Sequence, residues 1–149
     1  MKIETVTAEN LAEVLPLVAA YQQFYEATPD EERNRRHFGR FLEDHTQGIL
    51  FLARGPDGAP WGMATLYFTN SSVRACVQCL MNDLYVVPQS RGQGVGRALI
   101  EHCREYARQR GYDAIVWTTA MSNATAQRLY DSLPSTRSEW LHYRLPTVP

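Results

Sequence analysis

The sequence lacks the features that mark membrane, nucleic-acid-binding and secreted proteins. None of its apolar runs approaches the roughly 20 residues needed to span a bilayer, so we expect no membrane partner. The start, Met1-Lys2-Ile3-Glu4, has no signal-peptide apolar core, which favours a cytoplasmic location. The formal net charge is only -1. We expect no nucleic-acid partner, because duplex affinity depends largely on clustered cations.

Cysteine is also scarce, with three in the chain, which is too few and an odd number for a disulfide framework. Cys76 and Cys79 form a C-x-x-C pair, a spacing that can indicate zinc or redox chemistry. No second pair or suitable histidine cluster follows it. The pair also falls in a predicted strand, where residues three apart point to opposite faces. We therefore expect two ordinary apolar side chains and no metal.

Hydrophobic periodicity and turn residues predict an α+β fold in the order β-α-α-β-β-β-α-β-α-β, in a single domain over residues 1–149. The sheet is expected to be mixed but mostly antiparallel, flanked by helices, with a meander that runs into one β-α-β crossover. The predicted strands are Lys2–Val6, Gly48–Arg54, Pro60–Thr69, Cys76–Val87, Asp113–Thr119 and Thr136–Leu145. The predicted helices begin near Thr7, Thr28, Gly96 and Asn123, with Thr28 as the cap of the second.

A glycine-rich segment, Arg91-Gly92-Gln93-Gly94-Val95-Gly96, lies between a predicted strand and a long predicted helix. Glycines let the backbone approach a ligand and aim successive N–H groups at one point. The helix N-terminus adds about half a positive charge. Together these features predict an anion site suited to phosphates, although such a turn can also be only a tight connection.

Three phosphate-binding hypotheses compete for this loop. A Walker loop requires Gly-Lys-Ser/Thr at its end, whereas Gly96 is followed by Arg97-Ala98. A dinucleotide fingerprint requires G-x-G-x-x-G and an acid after the next strand, but that strand ends in Thr118-Thr119. The third hypothesis is the pyrophosphate loop of the GNAT N-acetyltransferase superfamily, Arg/Gln-x-x-Gly-x-Gly/Ala. Arg91, Gly94 and Gly96 match that pattern.

The resemblance to the GNAT superfamily extends over nearly the whole chain. Downstream of the loop, Asn123-x-x-Ala126-x-x-Leu129-Tyr130 resembles the second motif of the superfamily. The resemblance implies acetyl-CoA as cosubstrate and transfer of its acetyl group to a primary amine by direct attack in a ternary complex. A non-catalytic acyl-CoA-binding module of the same fold is the alternative. The cofactor-binding residues that it implies are Leu84, Tyr85, Val86, Arg91, Gly92, Gln93, Gly94, Val95, Gly96, Arg97 and Asn123.

Two side chains are candidates for proton transfer. By resemblance, Tyr130 would protonate the leaving thiolate; the alternative is a buried aromatic with a satisfied hydroxyl. The amine must lose a proton before it attacks, since a free alkylamine has a pKa near 10. Asp83 is the candidate base, because strand alternation places it on the same face as Tyr85; the alternative is a structural aspartate. Asn123 has a similar ambiguity, because asparagine is also a good helix N-cap.

The region between the first two helices carries the candidate substrate-binding residues Tyr21, Phe24, Tyr25 and Glu26. Aromatic rings and acids suit a cationic amine, although the acids that follow, Asp30 to Glu32, also suit a helix N-terminus. The segments Met81–Val86, Val116–Thr119 and Tyr21–Tyr25 are similar to the branch of small histone, polyamine and diamine acetyltransferases. That resemblance favours a polyamine, an amino acid or a lysine side chain as acceptor. The resemblance to the superfamily, whose members often dimerise through late strands, implies a homodimer.

Overall fold

The computed structural model describes residues 1–147, and within them the α+β fold is confirmed. The strands are β1 (Lys2–Thr5), β2 (Gly48–Arg54), β3 (Pro60–Ser71), β4 (Cys76–Val86) and β5 (Ile115–Val116). The helices are α1 (Leu11–Phe24), α2 (Glu31–Gly39), α3 (Val95–Gln109) and α4 (Ala124–Asp131). A single 3-10 turn, Pro88–Ser90, leads from β4 towards α3.

The sheet has the spatial order β1-β2-β3-β4-β5. Neighbouring strands from β1 to β4 are antiparallel, and β5 is parallel to β4. The mixed but mostly antiparallel sheet is therefore as expected. The chain forms two compact units, Met1–Thr118 and a second unit that begins at Thr119. No helix of residues 1–147 is long and apolar enough to cross a membrane.

In the first unit, the two faces of the sheet are covered by different helices. On one face, α1 and α2 pack on β2 and β3, and the fully buried residues there include Val14, Leu52 and Met63. On the other face, α3 packs its apolar stripe against the sheet, with Leu99 and Cys103 fully buried. Burying both faces supplies the main favourable free energy of folding, at about 25 cal/mol per Å² of apolar surface.

The second helix begins at a different residue from the one expected, because two residues near its start can act as its cap. The cap of α2 is Asp30, not Thr28, because its carboxylate accepts a hydrogen bond from the Arg33 N–H at 2.8 Å. A charged cap satisfies an unpaired N–H and also favours the helix dipole. Pro16 lies inside α1 without ending it. Its ring is on the exposed side of the helix, where water can satisfy the carbonyl that loses its partner.

The late strands depart further from expectation. Of the strand expected over Asp113–Thr119, only Ile115 and Val116 pair with β4. The final strand expected over Thr136–Leu145 does not form, and residues 136–145 have no regular secondary structure. Trp140, Tyr143 and Leu145 are more than four-fifths exposed. An alternating apolar pattern becomes a strand only where another edge supplies its hydrogen-bond partners, and none of the described strands pairs with this segment.

A β-bulge in β4 sets the direction of one side chain. Asp83 pairs with Thr65 and Met81 pairs with Leu66, so Asn82 is an extra residue that has no partner on β3. If Asn82 were paired in a regular strand, two-residue alternation would place Asp83 on the face of Met81, which packs towards α3. The bulge instead turns Asp83 to the face covered by α1 and α2, which is how bulges re-aim side chains at functional sites.

Beside the bulge, β4 and β5 separate. In the part of the chain that the structure describes, β5 pairs with β4 only at Cys79 and Leu80. The rest of β4, up to Val86, is paired with β3 alone. Gly62 of β3 allows the close approach there, because a Cβ at that position would lie 2.6 Å from the Tyr85 carbonyl oxygen. One edge of β4 therefore stays open at its C-terminal end, directly before the glycine loop.

Candidate active site

The glycine loop has the backbone geometry of an anion site. Gly92 and Gly94 have φ angles of 75° and 79°, a left-handed conformation that glycine adopts without strain. Gly94 is the N-cap of α3. Ala98 donates its N–H to the Gly94 carbonyl oxygen at 3.0 Å, which starts the hydrogen-bond ladder of α3, and the first N–H groups of a helix point out of its N-terminus. These donors, together with the helix dipole, can bind a pyrophosphate.

Two side chains of the loop fold back on the chain. Arg91 donates from Nε to the Val86 carbonyl oxygen at 3.1 Å, and Gln93 donates from Nε2 to the Gln89 carbonyl oxygen at 3.0 Å. The first contact ties the loop to the end of β4, and the second ties it to the 3-10 turn. One guanidinium offers five N–H donors, and the bond to Val86 uses one of them. Arg91 can therefore hold the loop and still contact a phosphate.

The open edge of β4 carries the three residues expected to bind the cofactor arm. Leu84, Tyr85 and Val86 are half-buried and pair with Ala64, Met63 and Gly62 of β3. An open strand edge is a template for another extended chain with amide groups. The pantetheine arm of coenzyme A is such a chain, and it would run directly from this edge into the glycine loop.

Asp83 is a buried carboxyl group next to that edge, with 6% of its surface exposed. Burial raises its pKa above the ordinary value of 3.8, while the Thr65 hydroxyl, the Asn82 amide and the Tyr21 hydroxyl act in the opposite direction. Asn82 donates from Nδ2 to Asp83 Oδ1 at 3.0 Å. A carboxylate whose pKa is raised towards neutrality is better matched to taking a proton from an ammonium group.

Three further side chains surround Asp83 on the same face. The Tyr21 hydroxyl donates to the carbonyl oxygen of the bulged Asn82 at 3.2 Å. His37 of α2 has its Nε2 atom 3.0 Å from the Tyr67 hydroxyl oxygen. Burial raises the pKa of Tyr67, and the negative charge of Asp83 raises it further. The structure therefore joins one expected residue, Tyr21, to two that sequence reasoning missed, His37 and Tyr67.

The remaining candidate substrate-binding residues lie at the end of α1. Tyr25 contacts Tyr21 and Phe24 edge to face, with ring centroids 5.1 and 5.0 Å apart. Phe24 and Tyr25 are both exposed. Glu26 has a φ angle of 60°, which is uncommon for a residue other than glycine and marks a turn under constraint. The aromatic group thus extends from the surroundings of Asp83 to the surface of the first unit.

In the second unit, α4 carries the other motif. Asn123 is its N-cap and accepts a hydrogen bond from the Ala126 N–H at 3.1 Å, so the capping role is real. Tyr130 is half-buried near the end of α4, and its carbonyl oxygen accepts a hydrogen bond from Ser135 Oγ at 2.8 Å. Roles in cofactor binding for Asn123 and in proton transfer for Tyr130 stay predictions.

The cysteines behave as the strand pattern predicts. Cys76 is exposed and Cys79 is buried, and all three cysteines are free thiols. Burial raises the pKa of the Cys79 thiol to about 11, which leaves it protonated and inert at neutral pH. Residues 1–147 contain no group of three or more His, Cys, Asp or Glu side chains placed to hold a metal ion.

The sequence contains only part of the pattern that would identify His37 and Tyr67 as site residues. Tyr67 is two residues from Thr65 on β3, so alternation places both on one face. His37 lies on a helix of mostly charged residues, where a histidine has no periodic feature that separates it from its neighbours. Only the packing of α2 on β3 brings the two side chains together.

Comparison with known proteins supplies the family. The Acetyltransferase (GNAT) family matches residues 15–133. The chain is 31% identical over 131 residues to an uncharacterized N-acetyltransferase, YhfO, of Bacillus subtilis, covering 88% of this chain and 87% of that protein. It is 30% identical over 127 residues to the D-amino-acid N-acetyltransferase HPA3 of Saccharomyces cerevisiae, covering 83% of this chain and 78% of that one.

A solved structure supports the same fold. The aminoglycoside N-acetyltransferase AAC(6')-Iy, in complex with CoA, superposes with a TM-score of 0.85 at 17% identity. The match covers 99% of this chain and 95% of that one. The family match, the sequence relatives and the fold agree with one another. The chain belongs to the GNAT family of acetyltransferases.

Proposed function

We propose that this acetyltransferase moves the acetyl group of acetyl-CoA to a primary amine by direct attack in a ternary complex. One observation carries the proposal. A buried carboxyl group, Asp83, an open strand edge, Leu84 to Val86, and an anion loop follow one another along β4 and its exit. Taken in that order, these features would serve as a base, an edge that binds the pantetheine arm and a site for the pyrophosphate.

The proposed reaction uses one side chain as a base and another as an acid. Asp83 takes a proton from the ammonium group, and the free amine then attacks the thioester carbonyl carbon. A C–N bond forms and the C–S bond breaks. Tyr130 protonates the departing thiolate, and the second proton that the nitrogen loses restores the tyrosine. Acetylated amine and coenzyme A thiol are the products, and one proton is released overall.

The acceptor is proposed to be a small cationic amine, such as a polyamine, an amino acid or a lysine side chain. Tyr21, Tyr25 and Phe24 supply aromatic faces for a cation, and Asp83 supplies the acid. Among the relatives, HPA3 is named for D-amino acids and AAC(6')-Iy for aminoglycosides, both of which carry amino groups. Membership of the histone, polyamine and diamine branch is part of the same proposal.

A homodimer in the cytoplasm completes the proposal. Trp140, Leu141, Tyr143 and Leu145 are all more than four-fifths exposed, and large exposed apolar surfaces mark interaction sites. Free thiols at all three cysteines suit a reducing compartment.

Light scattering on the full chain tests the homodimer and should give twice the mass of one chain. The mass of a monomer at micromolar concentration would contradict the dimer.

The proposed reaction is tested by release of the coenzyme A thiol. Purified protein and acetyl-CoA are incubated with polyamines, free amino acids of both hands and lysine peptides, and thiol is measured against a control without amine. We expect amine-dependent thiol release with at least one class. If calorimetry detects acetyl-CoA binding while no amine gives turnover, the chain is a non-catalytic acyl-CoA-binding module.

The glycine loop is tested by a matched pair of substitutions at Gly94. Asparagine and aspartate have nearly the same shape and both tolerate a left-handed backbone, and no atom lies within 4 Å of a Cβ placed there. Gly94→Asp should weaken acetyl-CoA binding about tenfold more than Gly94→Asn, because only aspartate repels a pyrophosphate. Equal affinities in calorimetry would remove the pyrophosphate from this loop.

Asp83→Asn should lower kcat by about 10²–10⁴-fold, the usual contribution of a general base. In the wild type, kcat/KM should fall as pH is lowered through the raised pKa of Asp83, because only the carboxylate accepts a proton. Asp113→Asn, at an exposed ion pair with Arg74, is the matched control and should leave the rate unchanged. If kcat at saturating amine still falls with pH in the same way in Asp83→Asn, Asp83 is not the base.

The same substitution should make the protein more stable. The pKa of Asp83 is raised in the folded state, so the carboxyl group ionises less readily in the folded protein than in the unfolded chain. The free energy of unfolding therefore falls as pH rises through that pKa. At pH 7 we expect Asp83→Asn to raise the free energy of unfolding by about 1 kcal/mol. This gain in the free energy of unfolding should disappear at acidic pH, where the wild-type carboxyl group is protonated. Thermal unfolding at pH 7 and at acidic pH measures it.

Tyr130→Phe should lower kcat with little change in acetyl-CoA affinity, because it removes a proton donor and keeps the ring. General acid catalysis typically gives about 10²–10⁴-fold. Tyr143→Phe, at a tyrosine that is 84% exposed, controls for loss of a hydroxyl elsewhere in the second unit. A drop in kcat of less than about threefold would exclude Tyr130 as the acid.

A further inference from the structure

We infer that His37 is a positioning residue of the acceptor site, which it serves by fixing the hydroxyl of Tyr67 beside Asp83. This inference rests on the proposed function and adds to it a second polar group that receives the amine. His37 lies on α2 and Tyr67 on β3, so the pair also links the helix to the strand that opposes Asp83.

The direction of the hydrogen bonds follows from the arginine next to the ring. The Arg40 guanidinium lies 3.1 Å from His37 Nδ1, and a guanidinium can only donate. Nδ1 must therefore be the acceptor, and in the neutral ring the proton must be on Nε2. Nε2 lies 3.0 Å from the Tyr67 hydroxyl oxygen. His37 thus donates to Tyr67, and the hydroxyl keeps its own proton and one lone pair for other partners.

The position of Tyr67 places those remaining sites near Asp83. Thr65 is directly opposite Asp83 across the strand pair, and Tyr67 follows two residues later on the same face. The Tyr67 ring packs against Phe41, with centroids 5.5 Å apart. Its pKa is raised by burial and by the charge of Asp83, so the hydroxyl stays protonated at neutral pH.

An incoming ammonium group has three N–H donors and no acceptor. The Asp83 carboxylate accepts one of them and takes its proton. The free lone pair of the Tyr67 hydroxyl accepts a second, which leaves the nitrogen lone pair to face the thioester once the proton has gone. Two fixed acceptors bind an amine more tightly than one, because each hydrogen bond to the charged group adds to its affinity.

Protonation of His37 would break this arrangement. An imidazolium carries N–H groups on both nitrogens, so Nδ1 would then face the donors of Arg40 and repel them. The ring would also place a positive charge near the site of a cationic substrate. Burial and then Arg40 lower the pKa of His37, and only Asp83 raises it. The ring is therefore neutral at neutral pH, and amine binding should weaken as pH falls through that lowered pKa.

The groups that act on the ring come from each element around it. Arg40 follows α2, Tyr67 lies on β3 and Asp83 on β4. From α1, the neutral Gln22 exchanges two hydrogen bonds with Asn34 of α2, and Tyr21 donates to Asn82. The charges that face the ring are thus one cation, Arg40, and one anion, Asp83.

Steady-state kinetics with an accepted amine tests the pair. Tyr67→Phe and His37→Leu should each raise the amine KM about tenfold, the usual effect of losing a hydrogen bond to a charged group, with kcat changed less than about threefold. The double variant should be no worse than either single one, because both remove the same contact. Additive effects, or an unchanged amine KM in His37→Leu, would overturn the inference.

His37→Gln provides the conservative control. Its amide can accept from Arg40 and donate to Tyr67, and it cannot titrate. We expect an amine KM near the wild-type value at pH 8 and a smaller rise in KM on the acid side than in the wild type, because only Asp83 then titrates. If His37→Gln keeps the full acid rise of KM, the histidine does not contribute to it and the proposed pH dependence is wrong. Acetyl-CoA affinity should be unchanged in all of these variants, which separates loss of the acceptor site from loss of the fold.

A measurement on the ring itself does not depend on turnover. Nitrogen NMR of the full chain at pH 8 distinguishes the two neutral tautomers of histidine. We expect His37 to carry its proton on Nε2, and a proton on Nδ1 would overturn the inference. If this tautomer is found while no amine is acetylated, the proposed function fails and the hydrogen-bonded pair stands.

Discussion

The bulge at Asn82 is the constraint on which the site depends. Because Asn82 has no partner on β3, Asp83 and Met81 lie on opposite faces of the sheet, and the side chain of Asp83 lies on the face packed by α1 and α2. If Asn82 paired regularly with Thr65, Asp83 would instead lie opposite Ala64, and its carboxyl group would be among the apolar side chains that face α3. The same bulge exposes the Asn82 carbonyl oxygen, which accepts the Tyr21 hydroxyl and so fixes the end of α1 to the strand.

A carboxyl group held in this position destabilises the folded protein, and in the proposed reaction the same burial would prepare it to accept a proton. Burial raises the pKa of Asp83, which costs stability at neutral pH, and the neighbouring polar groups offset only part of that cost. The surrounding core compensates, since β2 contributes a continuous run of fully buried residues from Ile49 to Ala53. Acid–base residues in active sites commonly have such a raised pKa within a stable scaffold.

Local patterns predicted much of this structure, and long-range packing accounts for the rest. The glycine loop was recognisable because Gly92 and Gly94 need positive φ angles that a sequence can indicate. The Asp30 cap was misassigned to Thr28 because both residues can cap and only their geometry separates them. The pairing of His37 with Tyr67 joins residues 30 positions apart, and no period connects them. The strand expected over residues 136–145 lacked a partner edge, which an alternating sequence alone does not reveal.

Amide hydrogen exchange in the presence of acetyl-CoA tests the central claim most directly. The claim is that one ligand occupies both the open edge of β4 and the glycine loop. On saturation, the account predicts slower exchange in residues 84–86 and in residues 93–97 together, with residues 62–64 of β3 as an internal reference that does not change. Protection of the loop without the strand edge, or of neither segment, would contradict the account.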